Sequence, residues 1–109
     1  MRSVLSNLGR FTDPALLILS SLASGPKHGY AMMEDIAEFS GTKLEPGTLY
    51  GALARLEQRG WIAALQADDR RRPYRLTGAG ETALRAQLDT MQRVVAAGSR
   101  RLALQEARG

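Results

Sequence analysis

The sequence predicts a mainly α-helical fold with a small β-hairpin wing: a winged helix-turn-helix followed by one long C-terminal helix. Three observations predict it. The stretch PGTLYGALARLEQRGWI (residues 46–62) reads as a helix that enters on Pro46 and stops at Gly60. A basic turn at residues 68–72 and the returning YRLTGAG (residues 74–80) follow directly, outlining a hairpin with an arginine-loaded tip. Beyond it, Leu84, Leu88, Met91, Val95, Gly98 and Leu102 recur at spacings of 4, 3, 4, 3 and 4, an a/d seam on one helix.

In chain order, residues 1–12 form a leader of mixed character, expected to be partly helical. Thr12-Asp13-Pro14 is a helix start, with an Asp or Thr cap and a proline in the first turn, where its missing N–H costs nothing. Residues 15–23 are nearly all apolar, which predicts a helix buried on most faces until Ser24-Gly25-Pro26 breaks it. A second helix is expected from His28 or Gly29 to Ser40, with Met32, Met33, Ile36, Ala37 and Phe39 turned inward. Gly41-Thr42-Lys43 makes the turn. The third helix starts near Glu45-Pro46, and Leu49, Leu53 and Leu56 put one leucine stripe against the core. Residues 61–67 read as a strand, 68–72 as the wing turn and 73–76 as the return strand. Thr77 can cap the last helix, with Glu81 favoured in its first turn by the helix dipole, and that helix should run to about Leu104. The expected division is a winged-helix domain with its N-terminal helix over residues 1–80, then a dimerisation helix over residues 81–109.

The 109 residues make one small domain, and a core of that size leaves room for support from a partner subunit. The net charge of +4 is compatible with a polyanionic partner without establishing one. Cysteine is absent, which excludes disulfides, thiolate metal sites and cysteine nucleophiles and fits a reducing cytoplasm. No signal-peptide pattern is seen at the N-terminus, and the longest apolar run, residues 15–19, is too short to span a bilayer. The lone His28 has no second histidine, cysteine or carboxylate set to make a metal or catalytic constellation, so no metal, cofactor or enzymatic activity is expected.

What the chemistry offers is a surface for double-stranded DNA. The N-terminal turn of the third helix is the part that meets base edges and phosphates in a helix-turn-helix. Thr48 and Tyr50 present hydroxyls there, Gly47 and Gly51 remove side-chain bulk, and Lys43 adds a cation in the turn before it. A glycine inside a helix costs about 1 kcal/mol against alanine. Gly51 therefore needs a reason: close approach to DNA, or close helix packing. Arg55 either reaches a phosphate or guanine edge or is a solvated surface residue. Arg70, Arg71, Arg72 and Arg75 crowd one hairpin, and a phosphate backbone would relieve their mutual repulsion. The competing reading is a solvated run balanced by Asp68 and Asp69. His28 beside Lys27 is a cap or a phosphate contact. Tyr30 is core-packed with its hydroxyl at the rim, or a phosphate donor, two roles that are compatible. Trp61 packs the wing on the core, or stacks on a flat ligand at a dimer cleft. The seam of Leu84, Leu88, Met91, Val95 and Leu102 is too long for three short helices to cover, which favours a homodimer formed with the apolar first helix, including Leu16 and Leu19.

These residues resemble the PadR family of transcriptional regulators. The matching pieces are Gly25-Pro26-Lys27-His28-Gly29-Tyr30; Gly47-Thr48-Leu49-Tyr50 with Leu53, Arg55-Leu56-Glu57 and Gly60; and Tyr74-Arg75-Leu76-Thr77 with Gly80. The single tail helix looks like the small PadR-like subgroup. The resemblance implies a winged-helix homodimer, usually a repressor, on an inverted-repeat operator. It implies that Gly47, Thr48 and Tyr50 lie on the DNA-facing helix, Lys27, His28 and Tyr30 near the phosphates, and Arg70, Arg71 and Arg72 on the wing. Small aromatic or cationic effectors are the ligands it suggests. Two positions depart from the family pattern: Glu45 stands where a Ser-like cap is common, and Arg72-Pro73-Tyr74 replaces a basic residue followed by paired tyrosines, which should shorten the wing pairing because proline has no N–H. The alternative function is a winged-helix protein-interaction module without DNA binding, against which the charged wing argues, since interface cores are depleted in charge.

Overall fold

The computed structural model describes residues 13–67 and 70–109. The leader at residues 1–12 and the turn residues Asp68 and Asp69 lie outside that range. Asp13 opens helix α1 (Pro14–Leu22): its carboxylate accepts the Ala15 N–H at 2.9 Å, with Pro14 in the first turn. Leu17, Ile18, Leu19 and Leu22 are all buried, so α1 is the hub of the core. The chain turns through Gly25 into strand β1 (Lys27–His28), then helix α2 (Gly29–Ser40), which Gly41 ends in the left-handed conformation at φ 74°. Met32 and Ile36 are the fully buried residues of α2.

Helix α3 (Pro46–Gln58) buries Leu49, Ala52, Leu53 and Leu56. It ends in a Schellman motif, in which Trp61 N–H reaches the Leu56 carbonyl at 3.1 Å and Gly60 N–H the Glu57 carbonyl at 3.0 Å. Gly60 holds φ 76°, so the stop read from the sequence is a conformational requirement. Strands β2 (Ile62–Ala64) and β3 (Pro73–Leu76) form the wing, and helix α4 (Gly78–Arg108) closes the chain. Thr77 fastens α4 to the end of α3: its hydroxyl accepts the Gly80 N–H at 3.0 Å and donates to the Gly60 carbonyl at 2.6 Å. The approach is so close that a Cβ on Gly80 would collide with the Trp61 carbonyl.

The structure departs from the sequence reading in four places. The sheet has three antiparallel strands in the order β1-β3-β2, with Lys27 opposite Tyr74 and Ile62 opposite Leu76. Two residues are too few for an alternating pattern, so β1 was invisible to periodicity. The first wing strand is only Ile62–Ala64, not residues 61–67; opposite its end stands Pro73, which offers a carbonyl to Leu65 N–H at 2.8 Å but no N–H in return. Phe39 is 50% exposed although it continues the i, i+4, i+7 stripe of Met32 and Ile36: it lies in the last turn of α2, where it borders the groove between α1 and α4 instead of the core. Helix α4 continues to Arg108, past the expected end near Leu104, since no proline or glycine interrupts residues 99–108.

The body is compact around α1, but α4 is not contained by it. Its 31 residues extend roughly 46 Å at about 1.5 Å per residue, and the longest dimension of the molecule is 59 Å. Only Gly80 and Leu84 of that helix are buried. Leu88, Met91, Val95 and Leu102 are exposed by 41, 43, 63 and 66%. Exposed i,i+4 pairs, Glu81 with Arg85 at 2.7 Å and Asp89 with Arg93, run along another face, each worth about 0.3–0.5 kcal/mol.

Candidate nucleic-acid interface

Tyr50 of α3, the start of α2 and the wing meet around a concave surface of about 460 Å³. Its walls carry His28, Tyr30, Tyr50, Tyr74 and the arginines 70–72, and among the described residues no carboxylate lines it. Each element brings its side chain there for a local reason. Gly29 is buried, and a Cβ on it would press on the Tyr50 ring, so the absence of a side chain lets α3 lay Tyr50 across the start of α2. Tyr50 remains 52% exposed and Tyr30 63% exposed, which rules out a core-packed Tyr30. Arg70 takes φ 69°, a left-handed conformation uncommon outside glycine, asparagine and aspartate, at the turn from which the arginines project. Burial pushes the Tyr74 hydroxyl above the usual tyrosine pKa; Glu57 adds to the rise, Arg72 opposes it, and Tyr50 adds a little more. Tyr74 therefore stays a neutral donor at ordinary pH.

His28 is both a cap and a member of this surface. Its Nδ1 accepts the Ala31 N–H at 3.3 Å, capping α2, while its Nε2 lies 3.3 Å from an Arg71 guanidinium nitrogen. The cap or phosphate alternatives read from the sequence are thus compatible. Lys27 is a different matter. Its ammonium donates to the Ser21 carbonyl and the Ser24 hydroxyl, each at 2.6 Å, and to the Gly25 carbonyl at 3.3 Å. It closes the C-terminal end of α1, where carbonyls lack helical partners and the dipole favours a cation. Ser21, 1% exposed, in turn donates to the Asp35 carboxylate at 2.7 Å, so this buried polar link is satisfied. Sequence spacing had given no sign of it.

On α3, Gly47, Thr48, Tyr50 and Arg55 are exposed and Gly51 is half-buried, beside the exposed Lys43. Added Cβ atoms would meet nothing within 4 Å at Gly47 and only the Arg55 guanidinium, at 3.7 Å, at Gly51. Helix packing therefore does not explain Gly51. Glu45 holds the N-cap position but makes no side-chain hydrogen bond to the helix, so its contribution there is limited to charge against the helix dipole.

Two further surfaces lie away from the wing. A groove of about 440 Å³ between α1 and α4 is lined by Leu16, Leu17, Phe39, Leu88, Met91 and Val95 with almost no polar surface. Leu16 is half-buried there, whereas Leu19 is 1% exposed and spent in the chain's own core, so it offers nothing to a second copy. Trp61 packs partly against the core, carries the Arg59 guanidinium 5.1 Å above its ring centroid, and borders a shallow cavity of about 300 Å³ with Ala83, Ala86, Gln87 and Thr90. Among the described residues no three His, Asp or Glu side chains converge, and no helix is long and apolar enough to cross a membrane.

The helix-wing arrangement is shared with known proteins. Residues 18–86, more than half the chain, match the model of the transcriptional regulator PadR-like family. The chain belongs to this family. Two solved structures make the likeness three-dimensional. A PadR family transcriptional regulator from Eggerthella lenta is 32% identical with a TM-score of 0.73, over 93% of this chain and 89% of that one. A PadR family transcription regulator from Clostridium difficile is 25% identical with a TM-score of 0.75, over 84% of this chain and 99% of that one. Among curated proteins, an uncharacterised 37.1 kDa protein of transposon TN4556 from Streptomyces fradiae is 45% identical over 85 residues, 78% of this chain. The chain spans 25% of that relative's length. It is a member of the transcriptional regulator PadR-like family, and the winged-helix reading of the sequence stands.

Proposed function

We propose that this PadR-like protein is a cytoplasmic, dimeric repressor that binds an inverted-repeat operator through α3 and the wing. The observation that carries the reading is the surface between Tyr50 and the three wing arginines, which no carboxylate among the described residues lines and which adjoins the exposed, bulk-free turn at Gly47 and Gly51. Phosphate contacts by the wing would position α3, and Thr48 and Tyr50 would meet base edges or the backbone beside them. The uncovered seam of α4 and the apolar groove beside Phe39 support a second copy as the cover. Two copies would set two α3 helices about one helical turn of DNA apart, or a multiple of it. The cavity beside Trp61 is where a small aromatic or cationic effector would act on that geometry.

The test is fluorescence anisotropy with the protein's own upstream promoter region and with random duplex, at about 50 and 200 mM salt. With 6–10 phosphate contacts, affinity should fall by about 10³- to 10⁵-fold across that range. Arg71→Ala should weaken both duplexes and flatten the salt slope by about one unit, while Thr48→Ala should cost more on the specific site. Salt-insensitive or absent binding to promoter and genomic DNA alike, with capture of a single stable protein partner, would replace the repressor with a protein-interaction winged helix.

A further inference from the structure

We infer that Lys27 is a positioning residue for the wing: its side chain is fixed to the end of α1 while its backbone pairs with Tyr74 of β3, and this holds β1 in the sheet. Its effect on DNA rests on the DNA-binding reading; the fixing of β1 rests on hydrogen-bond geometry alone. Strand β1 has little to hold it by pairing. It is two residues long, with Lys27 opposite Tyr74 and His28 opposite Pro73, and Pro73 has no N–H to give. So short a pairing is marginal without other support. The support comes from the side chains of β1 itself. His28 reaches forward and caps α2 through the Ala31 N–H. Lys27 reaches back to α1.

An ammonium has three N–H donors and no acceptor. All three donors are matched here, by the Ser21 carbonyl, the Ser24 hydroxyl and the Gly25 carbonyl. No N–H is left to hydrogen-bond a phosphate, so only the charge of Lys27 remains for that purpose. The acceptors are themselves held. Ser21 is buried and its hydroxyl donates to the Asp35 carboxylate of α2, while the Ser24 hydroxyl donates to the Ser21 carbonyl at 3.0 Å. Gly25 takes φ 138°, which side-chain-bearing residues rarely adopt, in the turn that brings Lys27 back to the helix end. One residue thus joins α1, α2 and the sheet. Pro73, opposite His28, directly follows Arg72, so the placement of β1 passes through β3 to the wing arginines.

Amide hydrogen exchange on the free, full-length protein tests the fixing of β1. Lys27→Met keeps the aliphatic stem and removes the donors. It should speed exchange at residues 27–28 and 74–76 by about 10-fold or more, as loss of hydrogen bonds from a charged group does. Residues 49–56 of α3 should exchange as in the parent. Ser24→Ala leaves the Lys27 charge in place and removes one acceptor; it should speed the same two segments by about 3-fold, and it serves as the test if Lys27→Met does not fold. Unchanged exchange in β1 and β3 overturns the inference. So does an equal rise in α3, which would reduce Lys27 to a contributor to overall stability. Fluorescence anisotropy with random duplex tests the consequence. Lys27→Met combined with Arg71→Gln should lose less affinity than the product of the two single losses, because Lys27 acts through the wing. Simple multiplication would make Lys27 an independent phosphate contact and overturn its positioning role. A parent protein that binds no duplex removes the DNA reading, and the exchange result still upholds or overturns the fixing of β1.

Discussion

Helices α3 and α4 carry the same kind of apolar stripe and meet opposite fates. Leu49, Leu53 and Leu56 on α3 are exposed by 0, 1 and 2%, whereas Leu88, Met91, Val95 and Leu102 on α4 run from 41 to 66%. Leu84, one turn above Leu88, is still only 5% exposed. The difference lies in neither residue type nor spacing. It arises because α1 and α2 end where the body ends, while α4 continues beyond them. An apolar period therefore identifies the face that needs cover and leaves open what supplies it. For α3 the cover is the chain itself; for distal α4 we propose a second copy.

The largest effect should separate these two stripes. Leu53→Ala opens a cavity in a fully packed site and should cost about 2–5 kcal/mol in denaturant unfolding. Leu102→Ala should change the unfolding of dilute, single chains by no more than about 0.5 kcal/mol, as surface substitutions do. If α4 is the dimer contact, that same variant should fall further below the parent's stability as protein concentration rises, because association stabilises with the logarithm of concentration, and Val95→Glu should sediment as a monomer. A Val95→Glu dimer as tight as the parent would take the seam out of the interface.

Next in size is the junction where α4 leaves the body. Gly80→Ala drives a methyl group into the Trp61 carbonyl, and overpacking of this kind costs about 1–3 kcal/mol. A thermal melt unchanged by Gly80→Ala would mean that α4 can pivot there. Gly51 should respond with the opposite sign. Its neighbourhood has room for a methyl group, so Gly51→Ala should stabilise the free protein by roughly 0.5–1 kcal/mol through helix propensity. It should at the same time weaken operator binding. Stabilisation without any loss of affinity would show that this part of α3 does not approach DNA closely.

The smallest effect concerns Tyr74. Its pKa is raised in the folded chain, first by burial and then by Glu57. A raised folded pKa means the folded state holds the proton more tightly. Its stabilising contribution is thus complete below the unfolded tyrosine value near 10 and is lost as pH rises through the folded value. Stability should therefore fall more steeply above about pH 10 in the parent than in Tyr74→Phe, read from denaturant midpoints across that range.

Much of this was legible in the residues. Asp13-Pro14, Gly41, Gly60 and Thr77 mark helix ends through local chemistry, and each does so in the structure. The leucine stripe of α3 and the arginine-loaded wing were legible for the same reason, since periodicity and charge runs need no tertiary information. The Lys27 contacts were not legible because its partners include backbone carbonyls at the end of another helix, which no side-chain pattern announces. Phe39 keeps the helical period of Met32 and Ile36 yet stays half exposed, because a period marks an apolar face without telling how far along the helix the chain's own core extends.

The sequence by itself determined where the helices start, where all but α4 stop, which faces are apolar and which hairpin is charged, because capping, period and charge are properties of neighbours along the chain. Only the tertiary structure decided that β1 joins the wing as a third strand, that Gly29 and Gly80 mark close approaches, that Leu19 is spent inside the core while Leu16 reaches its edge, and that His28 faces Arg71. Each of these depends on which distant segment fills the adjacent space, and that is set by packing the whole chain at once.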